Sequence, residues 1–275
     1  LRMHTYMREC GFEPDGYVFV SLLKACGNLR DCQEGRKLHC DLIENGIISD
    51  VYVGSTLISM YGKCGDIAET ESVFRDLSSR NVVSWNALVV GYTQTGFGHE
   101  ALKTFRQMQS AGVCPDAVTY ICTLKACGIA GCQVIGEDIV AEIRKQGLLQ
   151  KDLMLGNALV DMYSKCGASE IALEVFEQLP EKNVVSWSIL ITLYAHLGQA
   201  NVVLGLYKRM KTESVMPNSV TFIVLLTSCS HTGLIKDGEK LFEEMCVEYS
   251  LTPTLEHYTC MIDLFGRAGH FDMAK

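Results

Sequence analysis

The sequence predicts an all-α chain, a solenoid of stacked helix-turn-helix units, and three observations carry that expectation. The pentapeptide Asn81-Val82-Val83-Ser84-Trp85 recurs letter for letter as Asn183-Val184-Val185-Ser186-Trp187, 102 residues later. Glycines 65, 96, 131, 167, 198, 233 and 269 step along the chain by 31, 35, 36, 31, 35 and 36 residues, so three unequal repeats build one super-repeat. Between these glycines, apolar residues recur at helical spacing. A period in the 20 to 50 residue range replaces domain counting with a stacked array.

The stretch Val82 to Asp116 shows how one unit is built. Val83, Trp85, Leu88, Val89 and Tyr92 follow a helical period until Gly96 breaks the run, which predicts a first helix. From about His99, Ala101, Leu102, Phe105 and Met108 form an apolar stripe with Lys103, Arg106 and Gln107 between them, and Gly112-Val113-Cys114-Pro115-Asp116 ends the second helix. Two helices this short cannot bury their stripes alone, so each pair must stack on its neighbours. One second-helix position carries a ring in five of the units, at Phe74, Phe105, Phe176, Tyr207 and Phe242, and is expected in the core.

The complete units read as 16–50, 51–81, 82–116, 117–152, 153–183, 184–218 and 219–254, with a partial unit over 1–15 and a truncated one over 255–275. The 31-residue units lack four residues of the exit turn and end at Asn81 and Asn183. Because Leu1 and Lys275 both fall inside repeats, the sequence is expected to be a piece of a longer chain.

Bulk properties narrow the function. A formal net charge of −8 argues against a basic clamp on phosphates, so any nucleic-acid role must rest on base contacts. No apolar run reaches the roughly 18 residues that would cross a bilayer, and a soluble chain without a membrane partner is expected. The 13 cysteines include Cys64/Cys166 and Cys26/Cys127/Cys229 at repeat positions, as packing thiols in a reducing compartment would, and no C-x-x-C occurs. Neither metal nor cofactor is expected.

With that rhythm on the page, the chain resembles pentatricopeptide-repeat proteins of the plant organellar class that alternates standard, long and short repeats. The resemblance rests on Val51-Tyr52-Val53-Gly54 through Tyr61-Gly62-Lys63-Cys64-Gly65 and its counterpart Leu153-Met154-Leu155-Gly156-Asn157 through Gly167 in the short units. Val-Val-Ser-Trp opens the standard units, and Leu23-Lys24-Ala25-Cys26, Leu124-Lys125-Ala126-Cys127 and Leu225-Leu226-Thr227-Ser228-Cys229 mark the long ones. The end of the chain, Cys229-Ser230-His231-Thr232-Gly233 and then Leu255-Glu256-His257-Tyr258, is similar to the terminal repeats that precede extension motifs and often a cytidine deaminase in that class. The resemblance implies a right-handed superhelix, a site-recognition role in C-to-U editing of mitochondrial or plastid (chloroplast) RNA, and accessory editing proteins as partners.

It also implies where RNA would bind. The fifth and last residues of each unit would together read one base, which by register gives Ser55 with Asn81, Asn86 with Asp116, Asn157 with Asn183, and Ser188 with Asn218. By the class's rules the pairs imply adenine, uracil, a pyrimidine and adenine, and a site A-U-n-Y-A. Thr259, fifth in the terminal partial unit, leans toward a purine. Long units carry Val20, Ile121 and Ile223 at the fifth position, which cannot hydrogen-bond a base edge. Second residues, Tyr17, Tyr52, Val83, Val118, Met154, Val185 and Val220, would sandwich the bases. Taken from the residues alone, a second residue can equally be a packing residue at a helix start, and a polar pair can be a turn cap or a solvated surface.

Two other functions compete. A zinc deaminase needs H-x-E and C-x-x-C, but no glutamate lies two residues after any histidine, and Gly96-Phe97-Gly98 is a helix break rather than a phosphate loop, so this stretch is expected to be non-enzymatic. A protein-binding scaffold of the tetratricopeptide kind would keep a uniform repeat near 34 residues and a W-x-x-L-G signature that is absent. The 31/35/36 rhythm and the polar pairs favour RNA over the scaffold.

Overall fold

Each glycine of the repeat ladder sets a left-handed turn at the end of a first helix, and through Gly233 a described second helix follows it. Gly65, Gly96, Gly131, Gly167, Gly198, Gly233 and Gly269 have φ between 64 and 83°, a region that costs residues with a Cβ about 1–2 kcal/mol. The structure, a computed structural model, describes residues 14–149 and 152–269; the partial unit expected over 1–15 lies mostly outside them, as do positions 270–275 of the terminal unit. Among the described residues there are helices and turns and no strands. No helix there is long and apolar enough to cross a membrane.

The helices come in pairs. The first body, over residues 14–148, contains α1 (Gly16–Leu29) with α2 (Cys32–Glu44), α3 (Val51–Cys64) with α4 (Ile67–Asp76), α5 (Val82–Gln94) with α6 (Gly98–Ser110), and α7 (Ala117–Ala130) with α8 (Gln133–Lys145). The second body, over residues 149–269, contains α9 (Leu153–Lys165) with α10 (Ser169–Gln178), α11 (Val184–His196) with α12 (Ala200–Thr212), α13 (Ser219–Thr232) with α14 (Ile235–Val247), and α15 (Leu255–Arg267). Within each body, first helices pack on first helices: α1, α3, α5 and α7 in one, α9, α11, α13 and α15 in the other. The chain is an all-α repeat solenoid.

Burial follows the apolar period with one departure. Trp85, Leu88, Val89 and Tyr92 are buried, as the spacing predicts, but Val83 is half exposed because it sits at the helix start, where the stripe has not yet met its neighbour. Four of the five second-helix aromatics are core, since Phe74, Phe105, Phe176 and Tyr207 are buried, whereas Phe242 is only half-buried. Phe74 meets Trp85 edge to face at 4.7 Å and Phe176 meets Trp187 at 4.9 Å. The repeated cysteines pack as small apolar residues: Cys26, Cys127 and Cys229 are buried.

In each short unit a glycine receives the leucine that follows the shortened second helix. Helices α4 and α10 have 10 residues where other second helices have 13, and each ends in an extended leucine, Leu77 or Leu179. A Cβ on Gly54 would lie 2.4 Å from Leu77 Cδ2, and one on Gly156 would lie 2.5 Å from Leu179 Cδ2. The Gly of the short-unit motif thus leaves the seat into which that leucine folds.

Arg30 stands where the glycine ladder would place its first rung, at φ 54°. Arg30→Gly is expected to raise stability by about 1 kcal/mol, the left-handed strain less the extra freedom of an unfolded glycine. A urea midpoint that moves down instead would contradict this account of the turn.

Candidate nucleic-acid interface

One polar residue precedes each complete unit and starts its first helix. Asp15, Asp50, Asn81, Asp116, Asp152, Asn183 and Asn218 are N-caps whose side-chain oxygens accept backbone N–H groups of the following first helix. At Asn81, Asp116, Asn183 and Asn218 the cap is reciprocal: Ser84, Thr119, Ser186 and Thr221, three residues on, take the cap residue's own N–H on their hydroxyls. The turn-cap alternative is therefore realised in full at these four positions. It does not compete with a surface role, because all four cap residues are also exposed.

The fifth residues lie recessed beside those caps. Asn86 and Asn157 are under one-tenth exposed, and each touches its predicted partner: Asn86 Nδ2 donates to Asp116 Oδ1 at 3.0 Å, and Asn157 Nδ2 donates to Asn183 Oδ1 at 3.4 Å. The serine pairs are not joined in this way. Ser55, also buried, donates instead to the Val51 carbonyl at 2.6 Å, and Ser188 lies 3.4 Å from the Thr221 hydroxyl. Serine is too short to reach across the turn that asparagine spans. Thr259 is exposed and donates to the Leu255 carbonyl.

Clefts open over these residues. In the first body a cleft of about 450 Å³ is lined by Ser55 and Asn86 together with Tyr52 and Val83. In the second, one of about 340 Å³ is lined by Ser188 and Asn218 with Val185 and Val220. The second residues form an exposed apolar series: Tyr17, Tyr52, Val83, Val118, Met154, Val185 and Val220 are all 50 to 80% exposed. None of them is covered by a neighbouring helix.

Lysines on the same helices were hidden by the negative overall charge. Lys24 and Lys63 line the first cleft and Lys165 the second. Lys24 Nζ lies 3.4 Å from the Tyr52 hydroxyl, Lys63 donates to Asn28 at 2.8 Å, and Lys165 pairs with Asp161 at 2.8 Å. The recurrence of Lys63 and Lys165 in Tyr-x-Lys-Cys-Gly was the available signal; net charge averages a local cation over the whole surface.

Asp116 is the only carboxylate among the four predicted pairs. Burial opposes its ionisation, but the Thr119 N–H, the Asn86 amide and the Thr119 hydroxyl outweigh burial and hold its carboxyl below the usual 3.8. A depressed folded-state value contributes stability above the unfolded value and loses it as pH falls through the folded one. Asp116→Asn, which keeps the cap, should therefore remove part of the acid sensitivity in urea midpoints measured from pH 6 down to 3.

A solenoid of paired helices with a polar cap and an exposed apolar residue in each unit defines a helical-repeat protein. The chain belongs to the PPR repeat family: models of that repeat match residues 17–47, 55–82, 80–128, 157–184, 182–231, 220–248 and 256–275. Among curated proteins, a pentatricopeptide repeat-containing protein of Arabidopsis thaliana is 37% identical over 268 residues, covering 98% of this chain and 43% of that protein. A second from the same plant, named chloroplastic, is 41% identical over 266 residues and covers 97% and 44%. A third, named mitochondrial, is 37% identical over 274 residues and covers 100% and 42%. The chain thus spans less than half the length of these relatives. Among solved structures, PPR10 in complex with an 18-nucleotide psaJ RNA element superposes with a TM-score of 0.83 at 22% identity, covering 99% of this chain and 41% of that one.

Proposed function

We propose that this chain binds single-stranded RNA by sequence, one base to a unit, and serves as the site-recognition part of an organellar C-to-U editing factor. The observation that carries the reading is the joining of fifth and last residues at Asn86–Asp116 and Asn157–Asn183, with Asn86 on the floor of a cleft rimmed by exposed apolar side chains. Unstacked bases of single-stranded RNA offer their pairing edges to such a site. Asn86 Nδ2 has a second hydrogen beyond the one given to Asp116, and the Asp116 carboxylate has lone pairs to spare. A donor beside an acceptor complements uracil, whose ring N–H adjoins a carbonyl. The exposed second residues flank the bases; tyrosine stacking adds roughly 1–3 kcal/mol per base, and valine less.

In chain order the predicted site is A-U-n-Y-A, from Ser55/Asn81, Asn86/Asp116, the long unit, Asn157/Asn183 and Ser188/Asn218. The long units, with Val20, Ile121 and Ile223, supply spacing or contacts to accessory editing proteins. PPR10 is described in complex with an RNA element, and relatives of this chain are named chloroplastic or mitochondrial, which supports an RNA ligand and an organellar setting. Alternation of unit lengths supports the editing class, with the deaminase attached elsewhere in the protein or recruited in trans.

Asn86→Ser with Asp116 retained tests the register. Titration against RNAs that differ only at the second base of A-U-n-Y-A should show preference moving from uracil toward guanine. An unchanged preference sinks the register, and capture of peptides with no RNA bound would replace the reading with a protein scaffold.

A further inference from the structure

An asparagine side chain has two ends of nearly equal shape and opposite chemistry, so an Asn that reads a base is selective only if something decides which end faces the groove. At Asn86 that decision comes from two neighbours. The Asp116 carboxylate can only accept, so Nδ2 must point to it, at 3.0 Å. The other end, Oδ1, lies 2.7 Å from the buried Thr119 hydroxyl, whose one hydrogen is shared between Asn86 Oδ1 and Asp116 Oδ1 at 2.8 Å. Were the amide reversed, its oxygen would face the carboxylate and repel it, and the Thr119 hydroxyl would have to accept from Nδ2 in place of donating to Oδ1.

The second asparagine repeats the arrangement with different side chains. Asn183 Oδ1 is oriented by the Val185 and Ser186 backbone N–H groups, both at 3.0 Å, and so accepts from Asn157 Nδ2. The Ser186 hydroxyl, fully buried, donates to Asn157 Oδ1 at 2.7 Å. A hydroxyl at the third position of the following unit thus fixes the amide in both bodies. Where the fifth residue is Ser55, the equivalent Ser84 donates to the Asn81 carbonyl instead, at 2.9 Å, and has no amide to fix.

We infer that Thr119 and Ser186 are positioning residues for base discrimination: each locks the amide of the preceding unit's asparagine so that its N–H end, and never its carbonyl, is offered to RNA. The inference rests on the one-base-per-unit reading above. It makes the unit of recognition three residues drawn from two adjacent repeats, the fifth, the last and the next third, instead of two. With the Thr119 hydroxyl exchanged for a methyl, Asp116 alone opposes the reversed amide, so the reversed form gains population and the site admits bases that offer a donor where uracil offers a carbonyl.

The test compares Thr119→Val, Thr119→Ser and Ser84→Ala with the wild-type chain, each titrated against four RNAs that differ only at the base opposite unit 82–116. Wild type and Thr119→Ser should share one uracil preference. Thr119→Val should flatten it by roughly fivefold or more, the effect of one lost buried hydrogen bond, while the preference opposite unit 153–183 stays intact. Ser84→Ala, which loses the same reciprocal cap but no amide lock, should leave the uracil preference as it is. Should Thr119→Val fold poorly, Ser186→Ala read at the base opposite unit 153–183 carries the same expectation. Uniform weakening toward all four RNAs with the ratio preserved would overturn the inference and leave the one-base reading standing. A wild-type chain without preference at that base would instead overturn the one-base reading, and the inference with it.

Discussion

Trp187→Ala is expected to remove about 3–5 kcal/mol of stability, the cost of deleting a large aromatic from a core. Trp187 is fully buried, meets Phe176 edge to face at 4.9 Å, and lies 5.4 Å beneath the Arg209 guanidinium. It bridges a short unit to a standard one, so its removal opens a void between repeats that neither helix pair can refill. Its indole N–H is buried without a hydrogen-bond partner, so the ring contributes through packing and the Arg209 contact and not through its N–H. Trp187→Phe should therefore cost far less than Trp187→Ala, since it keeps an aromatic ring against Phe176 and removes a desolvated donor. Urea unfolding of both variants checks the pair, with hydrogen exchange expected to rise first in α10–α12. Equal losses for the two variants would mean that the N–H has a role that packing does not describe.

Gly62→Val should lower stability by about 3 kcal/mol, whereas Gly91→Ala should stay within about 1 kcal/mol of neutral. The two glycines face each other where first helices α3 and α5 cross. A Cβ on Gly62 would lie 2.9 Å from Gly91 Cα, but a Cβ on Gly91 would lie 3.4 Å from Gly62 Cα. Backbone cannot turn aside as a leucine tip can, so the valine must push the helices apart. Those helices carry Ser55 and Asn86, and RNA affinity should fall with stability in Gly62→Val at a temperature where the variant remains folded. Ser164 and Leu193 occupy the matching positions of the second body, so the same close approach is not built there. Thermal melts and titrations with an A-U-n-Y-A RNA give both readouts; an undisturbed melting temperature in Gly62→Val would mean the two helices have slack at their crossing.

Most of the fold was legible because its signals are periodic. A left-handed turn needs glycine almost regardless of what surrounds it, so seven glycines marked seven turns, and the helical period between them located the buried tryptophans and the second-helix aromatics. Arg30 escaped because the same backbone turn carries a residue that does not announce it. Val83 was read onto the buried stripe because periodicity reports a face and not where along the helix a neighbour begins to cover it. For the candidate site, register alone proposed which side chains would meet, and Asn86 with Asp116 and Asn157 with Asn183 do meet. Register could not distinguish these from Ser55 and Ser188, since whether a side chain reaches its partner depends on its length against a particular turn. Nor could it show that Thr119 and Ser186 hold the asparagine amides, a matter of hydrogen-bond direction that only neighbouring atoms decide.

The cap at the start of each first helix has a consequence for how such an array can change its target. Asn, Asp, Ser and Thr are the residues best suited to begin a helix, and replacing one by alanine typically forfeits about 1 kcal/mol. On the base-reading proposal, a chain that exchanges these four among themselves could shift from one transcript to another without weakening its scaffold, while any wider vocabulary would erode the helices by a similar amount at every word. The lexicon of last residues is thus bounded by how helices begin before it is bounded by what bases look like.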